Sequence, residues 1–169
     1  MAKFAPYQGT LAEPEFPSNY LKPSPPVPES IPEKLKLTFA VPNAVLLKEA
    51  EVDLVLLPAE SGDFGAAPGH VPTIAQLRPG VVTVQTNGDK DVAKWFVSGG
   101  FAFVHPNSTA DVVATAAHPL ADFDPEAVRA ALADATAKVA AAAGKDEYEA
   151  ASAQAAVEVY SALSAALGL

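Results

Sequence analysis

The fold is decided by the stretch VVTVQTNGDKDVAKWFV, residues 81–97. Residues 81–86 are mostly β-branched, and residues 92–97 bring further apolar and aromatic side chains, which favour strands. Between these two runs stands the pair Asn87-Gly88, which suits the positive φ angles of a tight turn. The stretch therefore predicts a β-hairpin.

Further short strands are expected on both sides of this hairpin. Two upstream sets of apolar residues alternate along the chain, namely Leu35, Leu37, Phe39 and Val41, then Val52, Leu54 and Leu56. A period of two puts each set on one face of a strand. Downstream, residues 101–104 and 111–115 are separated by turn residues 105–108. Many short strands at this spacing predict an antiparallel β-sandwich or barrel.

The end of the chain changes to helical patterning. Asp124 can cap a helix whose first position is Pro125. Apolar residues then recur at helical spacing, at Val128, Leu132, Ala135 and Val139. Residues 144–146, GKD, interrupt the pattern, and a second helix is indicated by Tyr148, Val157, Tyr160, Leu163 and Leu167. The two segments predict an antiparallel helical hairpin.

The start of the chain differs from both of these parts. Prolines cluster at positions 23, 25, 26, 28 and 32, which disfavours helix and interior strand and predicts an extended arm. Four aromatic residues are spaced through the arm, namely Phe4, Tyr7, Phe16 and Tyr20. They favour docking on a partner, although a solvated tail is the alternative. Because the arm lacks arginine and carries glutamates, it is expected to be mature protein rather than a transit peptide.

The sequence therefore predicts an α+β protein in three parts. They are a proline-rich arm over residues 1–33, a β-sandwich over residues 34–120 and a helical hairpin over residues 121–169. The 169 residues carry a formal net charge of -9, which argues against nucleic-acid binding because no cluster of Lys and Arg is visible. No apolar run is long enough to cross a membrane, so a peripheral association is the most that the sequence predicts.

No group of residues in the sequence predicts catalysis. The three histidines, His70, His105 and His118, lack the spacing of metal ligands, and there is no cysteine. Ser98 lacks the upstream glycine of a nucleophile elbow, because Phe96 stands two positions before it, and no glycine-rich stretch continues into a phosphate loop. We expect no catalytic residue, cofactor or metal. An adaptor, a carbohydrate-binding module and a subunit of a larger machine all fit this pattern.

Three motifs narrow the choice. They are SGDFGAAPGHVPT at residues 61–73, LRPG at residues 77–80 and FVSGGF at residues 96–101. In this order they resemble the delta/epsilon stalk subunits of rotary ATP synthases, and the resemblance covers residues 34–167. The family's turns imply structural roles for Gly62, Gly65, Pro68, Gly69, Pro79, Gly80, Gly99 and Gly100. The motifs at residues 70–73 and 77–80 look more like the mitochondrial form of the family than the bacterial form.

The resemblance implies a non-enzymatic rotor subunit that couples the central shaft to the membrane ring. Its partners would be the gamma subunit, the c-ring and the small mitochondrial epsilon subunit, on the matrix side of the mitochondrial inner membrane. A bacterial plasma membrane or a chloroplast thylakoid is the alternative location. Asp63, Phe64 and His70 would contact the ring. For Asp63 a solvated turn, and for His70 a local hydrogen bond, are alternative roles.

A second function within the same family is an ATP sensor that acts through the helical hairpin. Some bacterial relatives bind ATP through an acid followed by Arg-Ala on the first helix and arginines on the second. Here residues 124–130, DPEAVRA, place two residues too many between the acid and the arginine, and the last basic residue is Lys145. We therefore expect a hairpin that stays packed on the sandwich. An independent enzyme or sugar-binding sandwich would need paired acids or an exposed aromatic platform.

Overall fold

The computed structural model describes residues 30–88, 90–142 and 147–169. Most of the predicted arm, residues 1–29, and the predicted helix break at residues 144–146 lie outside the described residues. The docking prediction for the arm therefore stays a prediction.

Ten strands and two helices follow one another along the described chain. The strands are β1 (Leu35–Val41), β2 (Ala44–Val52), β3 (Leu54–Leu57), β4 (Phe64–Ala66), β5 (Thr73–Leu77), β6 (Gly80–Gln85), β7 (Val92–Val97), β8 (Gly100–Val104), β9 (Thr109–Ala114) and β10 (Ala117–Pro119). A 3-10 turn (Leu120–Asp122) leads to the helices α1 (Pro125–Ala142) and α2 (Glu147–Leu167).

The strands form two five-stranded sheets that pack face to face. The first sheet has the order β2-β1-β9-β8-β5, and the second has the order β10-β7-β6-β3-β4. Every paired strand is antiparallel to its neighbour except β1 and β9, which run parallel. A sandwich followed by two helices confirms the predicted fold class. The strand order also makes β4 and β5 edge strands.

The core lies between the two sheets. On β1 the alternating residues Leu35, Leu37 and Phe39 are completely buried, as their period of two predicts. Phe39 contacts Trp95 of the opposite sheet edge to face, with 5.8 Å between the ring centroids. This contact joins the two sheets near the centre of the sandwich.

One predicted strand face is wrong. Val52 is buried as expected, but Leu54 and Leu56 face outward while Val55 and Leu57 enter the core. The alternation shifts because Asp53 stands outside both β2 and β3. Lys34 Nζ donates to the Asp53 carboxylate, and the Gly88 amide donates to its other oxygen at 2.7 Å. These contacts break the strand at Asp53. The inward-facing residues of β3 are therefore Val55 and Leu57 instead of Leu54 and Leu56.

The hairpin of β6 and β7 is confirmed, with a longer connection than a two-residue turn. Val81 lies opposite Phe96, and Gln85 lies opposite Val92, so six residues join the two strands. Gly88 has the positive φ expected for the Asn-Gly pair. The Thr86 amide donates to the Asp91 carbonyl at 3.0 Å and closes the loop.

The helices form a second, smaller core against the outside of the second sheet. Asp124 caps α1, because its Oδ1 accepts a hydrogen bond of 3.0 Å from the Glu126 amide. Phe96, Val128 and Leu163 form the buried centre of this core. Neither described helix is long and apolar enough to span a bilayer.

Tyr148 lies in the first turn of α2, and its side chain is 82% exposed. It lines an open cleft between the two helices together with Lys138 and Ala142 of α1 and Ala153 of α2. Leu163 is buried as the helical spacing predicts.

Candidate interaction surfaces

The described residues hold no cluster of three or more His, Cys, Asp or Glu that could bind a metal ion. The histidines stand in three separate surroundings. His70 bonds the neighbouring Val71 carbonyl, His105 pairs with Asp111 at 2.9 Å, and His118 packs edge to face on Phe123. The three histidines therefore form no common site within the part of the chain that the structure describes.

A shallow groove of about 410 Å³ runs between the edge strands β4 and β5. We call it the edge groove, and it is lined by Ser61, Gly62, Asp63, Phe64, His70, Thr73, Ile74 and Ala75. The three residues expected to contact the ring, Asp63, Phe64 and His70, all line it. The structure thus brings together side chains that are up to seven positions apart in the sequence.

Asp63 lies at one end of the edge groove and is tied to a neighbouring loop. Its side chain is 70% exposed, and its Oδ1 accepts a 2.6 Å hydrogen bond from Arg78 Nη2. The Arg78 amide in turn donates to the Pro58 carbonyl at 3.0 Å. An exposed pair of this kind holds the Asp63 carboxylate in place and adds little to stability.

Phe64 and His70 form the middle of the edge groove. Their ring centroids lie 5.7 Å apart with the planes tilted by 40°. His70 Nδ1 lies 2.8 Å from the Val71 carbonyl. Because a carbonyl can only accept, Nδ1 carries the hydrogen in this contact. The local hydrogen bond and the groove position therefore coexist in His70.

The turn before His70 is held from two sides. Gly69 has a φ of 77°, and a β-carbon there would lie 2.9 Å from the Ile31 side chain. The Gly69 amide donates to Ser108 Oγ at 2.9 Å. Glycine suits this turn because of its positive φ, whereas the exposed Ile31 side chain could move aside for a β-carbon.

The other predicted turn residues fall into two groups. Gly62 and Pro68 lie in loops on either side of β4, and Gly99 lies in the bend before β8. Gly100 opens β8, where a β-carbon would lie 2.2 Å from the Val113 carbonyl oxygen. Gly65 lies within β4, and Gly80 follows Pro79 and opens β6, so these two glycines, like Gly100, lie in strands rather than in turns.

The outside of the first sheet carries an exposed apolar surface, which we call the apolar face. It consists of Ile74, Phe101, Phe103 and Val113, on the neighbouring strands β5, β8 and β9. Ile74 is 75% exposed and Phe101 is 50% exposed, and the rings of Phe101 and Phe103 stack with centroids 6.5 Å apart. Exposed apolar side chains grouped in this way are typical of a protein interface.

Sequence reasoning did not select the apolar face. Its signal is the pair of aromatic residues Phe101 and Phe103 on either side of the small residue Ala102. In a strand this spacing puts both rings on one face and Ala102 on the other. Ala102 is buried, so the rings necessarily point away from the core.

A cleft of about 820 Å³ separates α2 from loops of the sandwich. Arg78, Gly99 and Gly100 lie on the sandwich side, whereas Ala155 and Glu158 lie on α2. Phe101 and Val113 line the cleft as well, so the cleft continues into the apolar face.

The opposite end of the sandwich carries a charged clamp around Asp53. The hydrogen bond from Lys34, followed by the one from the Gly88 amide, holds the pKa of the Asp53 carboxyl below its ordinary value. Lys34 Nζ also donates to the Thr86 carbonyl at 2.9 Å. The clamp connects the start of β1 to the β6–β7 loop.

The family match and the similar proteins all relate the chain to subunits of ATP synthases. Residues 34–119 match the family described as ATP synthase, Delta/Epsilon chain, beta-sandwich domain. The chain is 48% identical over 154 residues to ATP synthase subunit delta', mitochondrial, of Ipomoea batatas, covering 91% of this chain and 75% of that protein. It is 49% identical over 137 residues to ATP synthase subunit delta, mitochondrial, of Agaricus bisporus, covering 81% and 82%.

Solved structures support the same fold. A chain of the Euglena gracilis mitochondrial ATP synthase, from a structure of OSCP, F1 and c-ring, superimposes with a TM-score of 0.76 at 27% identity. The match covers 95% of this chain and 99% of the Euglena chain. A chain of the Tetrahymena thermophila mitochondrial ATP synthase matches with a TM-score of 0.51 at 15% identity, over 80% of this chain and 99% of that chain, which shows a shared fold alone.

Proposed function

The chain belongs to the ATP synthase delta/epsilon family, and from this we propose that it is a non-catalytic central-stalk subunit of the rotary proton-translocating ATP synthase. In this role it couples the gamma shaft to the membrane ring, so that rotation driven by protons reaches the sites of ATP synthesis. It acts as a peripheral protein on the matrix side of the mitochondrial inner membrane. The mitochondrial names of its relatives support this location.

The apolar face is the observation that carries the proposal. A rotor subunit must bind its shaft firmly enough to turn with it, and buried aromatic residues contribute most to such interfaces. Phe101 and Phe103 stack on each other on a rigid sheet, so they lose little conformational freedom when a partner covers them. We assign the apolar face to the gamma subunit.

The edge groove is the surface that we assign to the c-ring. Asp63 offers an exposed carboxylate at one end, and Phe64 with His70 offers an aromatic wall beside it. A groove with charge and apolar surface suits the polar loops that a membrane ring presents to the stalk. The Euglena relative comes from a structure that contains a c-ring, which supports this partner. The small mitochondrial epsilon subunit is the third partner that family membership implies.

The helical hairpin is proposed to remain packed on the sandwich. Val128 of α1 and Leu163 of α2 are buried together with Phe96, so lifting the hairpin would expose this second core to water. No Lys or Arg occurs in α2, which leaves a triphosphate without charged partners on that helix. The ATP-sensing alternative therefore has less support than a fixed structural role.

The proposal is tested by removing the subunit from the synthase and adding it back. Restored attachment of the shaft to the ring would support the structural role. Hydrolysis of ATP by the purified chain itself would contradict it.

A further inference from the structure

Ser108 combines two properties that are uncommon for its residue type. Among the residues that the structure describes, Ser108 is the one polar residue that is buried, with 4% of its surface exposed. Its φ is 57°, in the left-handed region that residues other than glycine, asparagine and aspartate rarely adopt. A buried hydroxyl in a strained backbone position calls for a specific partner.

Ser108 joins three separate segments of the sandwich. Its Oγ accepts a 2.9 Å hydrogen bond from the Gly69 amide, in the turn before β5. Its carbonyl accepts a 3.1 Å hydrogen bond from the Lys36 amide at the start of β1. Ser108 itself ends the turn between β8 and β9. The side chain of Ser108 thus connects the Gly69 turn to the two strands at the centre of the first sheet.

The Gly69 turn determines where His70 lies. The His70 amide donates to the Ala67 carbonyl at 3.1 Å, which closes the turn immediately after Gly69. The His70 ring then packs on Phe64, with 5.7 Å between the ring centroids. A shift of Gly69 would move the His70 ring along or away from the wall of the edge groove.

We propose that Ser108 is a positioning residue for the edge groove. The Ser108 hydroxyl holds the Gly69 turn, so that His70 stays against Phe64 and the edge groove keeps the shape that the ring contacts. This inference rests on the assignment of the edge groove to the c-ring. It adds a residue that does not itself line the groove.

The strain at Ser108 separates this role from a purely structural one. A glycine would adopt a φ of 57° without strain, so the β8–β9 turn alone would be served better by glycine. Glycine lacks the hydroxyl, however, and would leave the Gly69 amide without its acceptor. Serine is the residue that supplies the acceptor at the expense of backbone strain.

The test uses two variants, Ser108→Gly and Ser108→Ala. Both remove the hydroxyl, but only Ser108→Gly also relieves the backbone, so Ser108→Gly is expected to have the higher Tm of the two. Both are expected to raise the exchange rate of the Gly69 amide about three- to tenfold, and to weaken binding to purified c-ring by a similar factor. Equal losses of binding despite unequal Tm values would support a positioning role.

The control is Val112→Ala, which removes methyl groups from the core at β9, at a residue that is not among those that line the edge groove. It is expected to lower Tm while leaving ring binding unchanged. Ring binding that follows the order of the Tm values, or wild-type exchange at Gly69 in both Ser108 variants, would overturn the positioning role. If Asp63→Lys also binds the ring as the wild type does, while Gly69 exchange rises in the Ser108 variants, the ring assignment itself is wrong.

Discussion

Arg78 Nη2 donates to Asp63 Oδ1 across 2.6 Å and joins two loops at the mouth of the edge groove. The carboxylate is 70% exposed, so a partner can still approach it from the solvent side. Any cation that the ring offers to Asp63 must share the carboxylate with Arg78. The groove therefore presents a fixed but partly neutralised negative charge.

Charge reversal at Asp63 is the direct test of the ring contact. Asp63→Lys places a second cation beside Arg78 and repels a basic ring loop, so c-ring binding is expected to weaken by about 1 kcal/mol, or roughly fivefold. The loss should shrink as salt rises, because exposed charges are screened. The measurement is c-ring binding across a salt series. Glu51→Lys, an equally large change on the exposed side of β2, is the control.

Ring binding by Asp63→Lys that equals the wild type at every salt concentration would remove Asp63 from the ring contact. Asp63→Asn removes the charge but keeps the size of the side chain, so it measures the contribution of the charge alone. Its effect is expected to lie between those of the wild type and Asp63→Lys.

The apolar face is tested at Phe101. Because half of its surface is already exposed in the free subunit, Phe101→Ser removes little core packing and should change Tm only slightly. Binding to the gamma subunit is expected to fall at least about tenfold, the effect typical of an aromatic residue at the centre of an interface. Calorimetric titration with gamma measures this loss. Val92→Ser, an exposed apolar residue of the second sheet, should bind gamma normally.

A loss of gamma binding that is equally large for Val92→Ser would mean that removing any exposed apolar side chain weakens binding, and that the apolar face has no special part in it. Unchanged binding by Phe101→Ser would place the shaft on another surface.

The Asp53 clamp predicts how stability depends on pH. The hydrogen bond from Lys34, with that from the Gly88 amide, holds the pKa of the Asp53 carboxyl below its ordinary value in the folded protein. The ionised carboxylate therefore stabilises the fold at pH values above the unfolded pKa, and this contribution disappears as pH falls through the folded pKa. Asp53→Asn is expected to unfold at lower urea concentration than the wild type at pH 7. The difference should shrink as the pH falls below about 4.

Lys34→Ala provides the matched variant for this test. Since Lys34 is the first partner of Asp53, the double variant should lose less stability than the sum of the single losses. Additive losses, or a difference between Asp53→Asn and the wild type that persists to the lowest pH, would show that the clamp does not stabilise the fold.

Much of the sandwich could be predicted because its strands obey a local rule. Leu35, Leu37 and Phe39 are buried as a period of two requires, and the hairpin of residues 81–97 forms as its β-branched runs indicate. The inward face of β3 could not be predicted in this way. Its shift depends on Lys34 and Gly88, which meet Asp53 from 19 and 35 positions away.

The edge groove, too, could not be predicted from local sequence patterns. Family resemblance singled out Asp63, Phe64 and His70, but their common groove depends on β4 and β5 being edge strands of different sheets. No local pattern carries the strand order. Ser108 could not be selected either, because a serine after Pro106-Asn107 looks like an ordinary turn residue until its burial is known.

Nucleotide binding separates the structural role from the sensing role. The helix α2 lacks Lys and Arg, so titration of the isolated protein with MgATP is expected to show no saturable heat up to millimolar concentration. The competing sensor would bind with a defined stoichiometry and would change the proteolysis pattern of the hairpin. Leu163→Ala, which loosens the packing of the hairpin on the sandwich, tests whether a lifted hairpin binds MgATP.

The central claim is that this chain joins the shaft to the ring, and proton-driven ATP synthesis by reconstituted synthase measures it most directly. Synthase depleted of the subunit should lose most ATP synthesis and release the shaft from ring-containing membranes, while its catalytic head still hydrolyses ATP. Adding back the wild-type chain should restore both synthesis and attachment. ATP synthesis and shaft attachment that stay at full level without the chain would contradict the account.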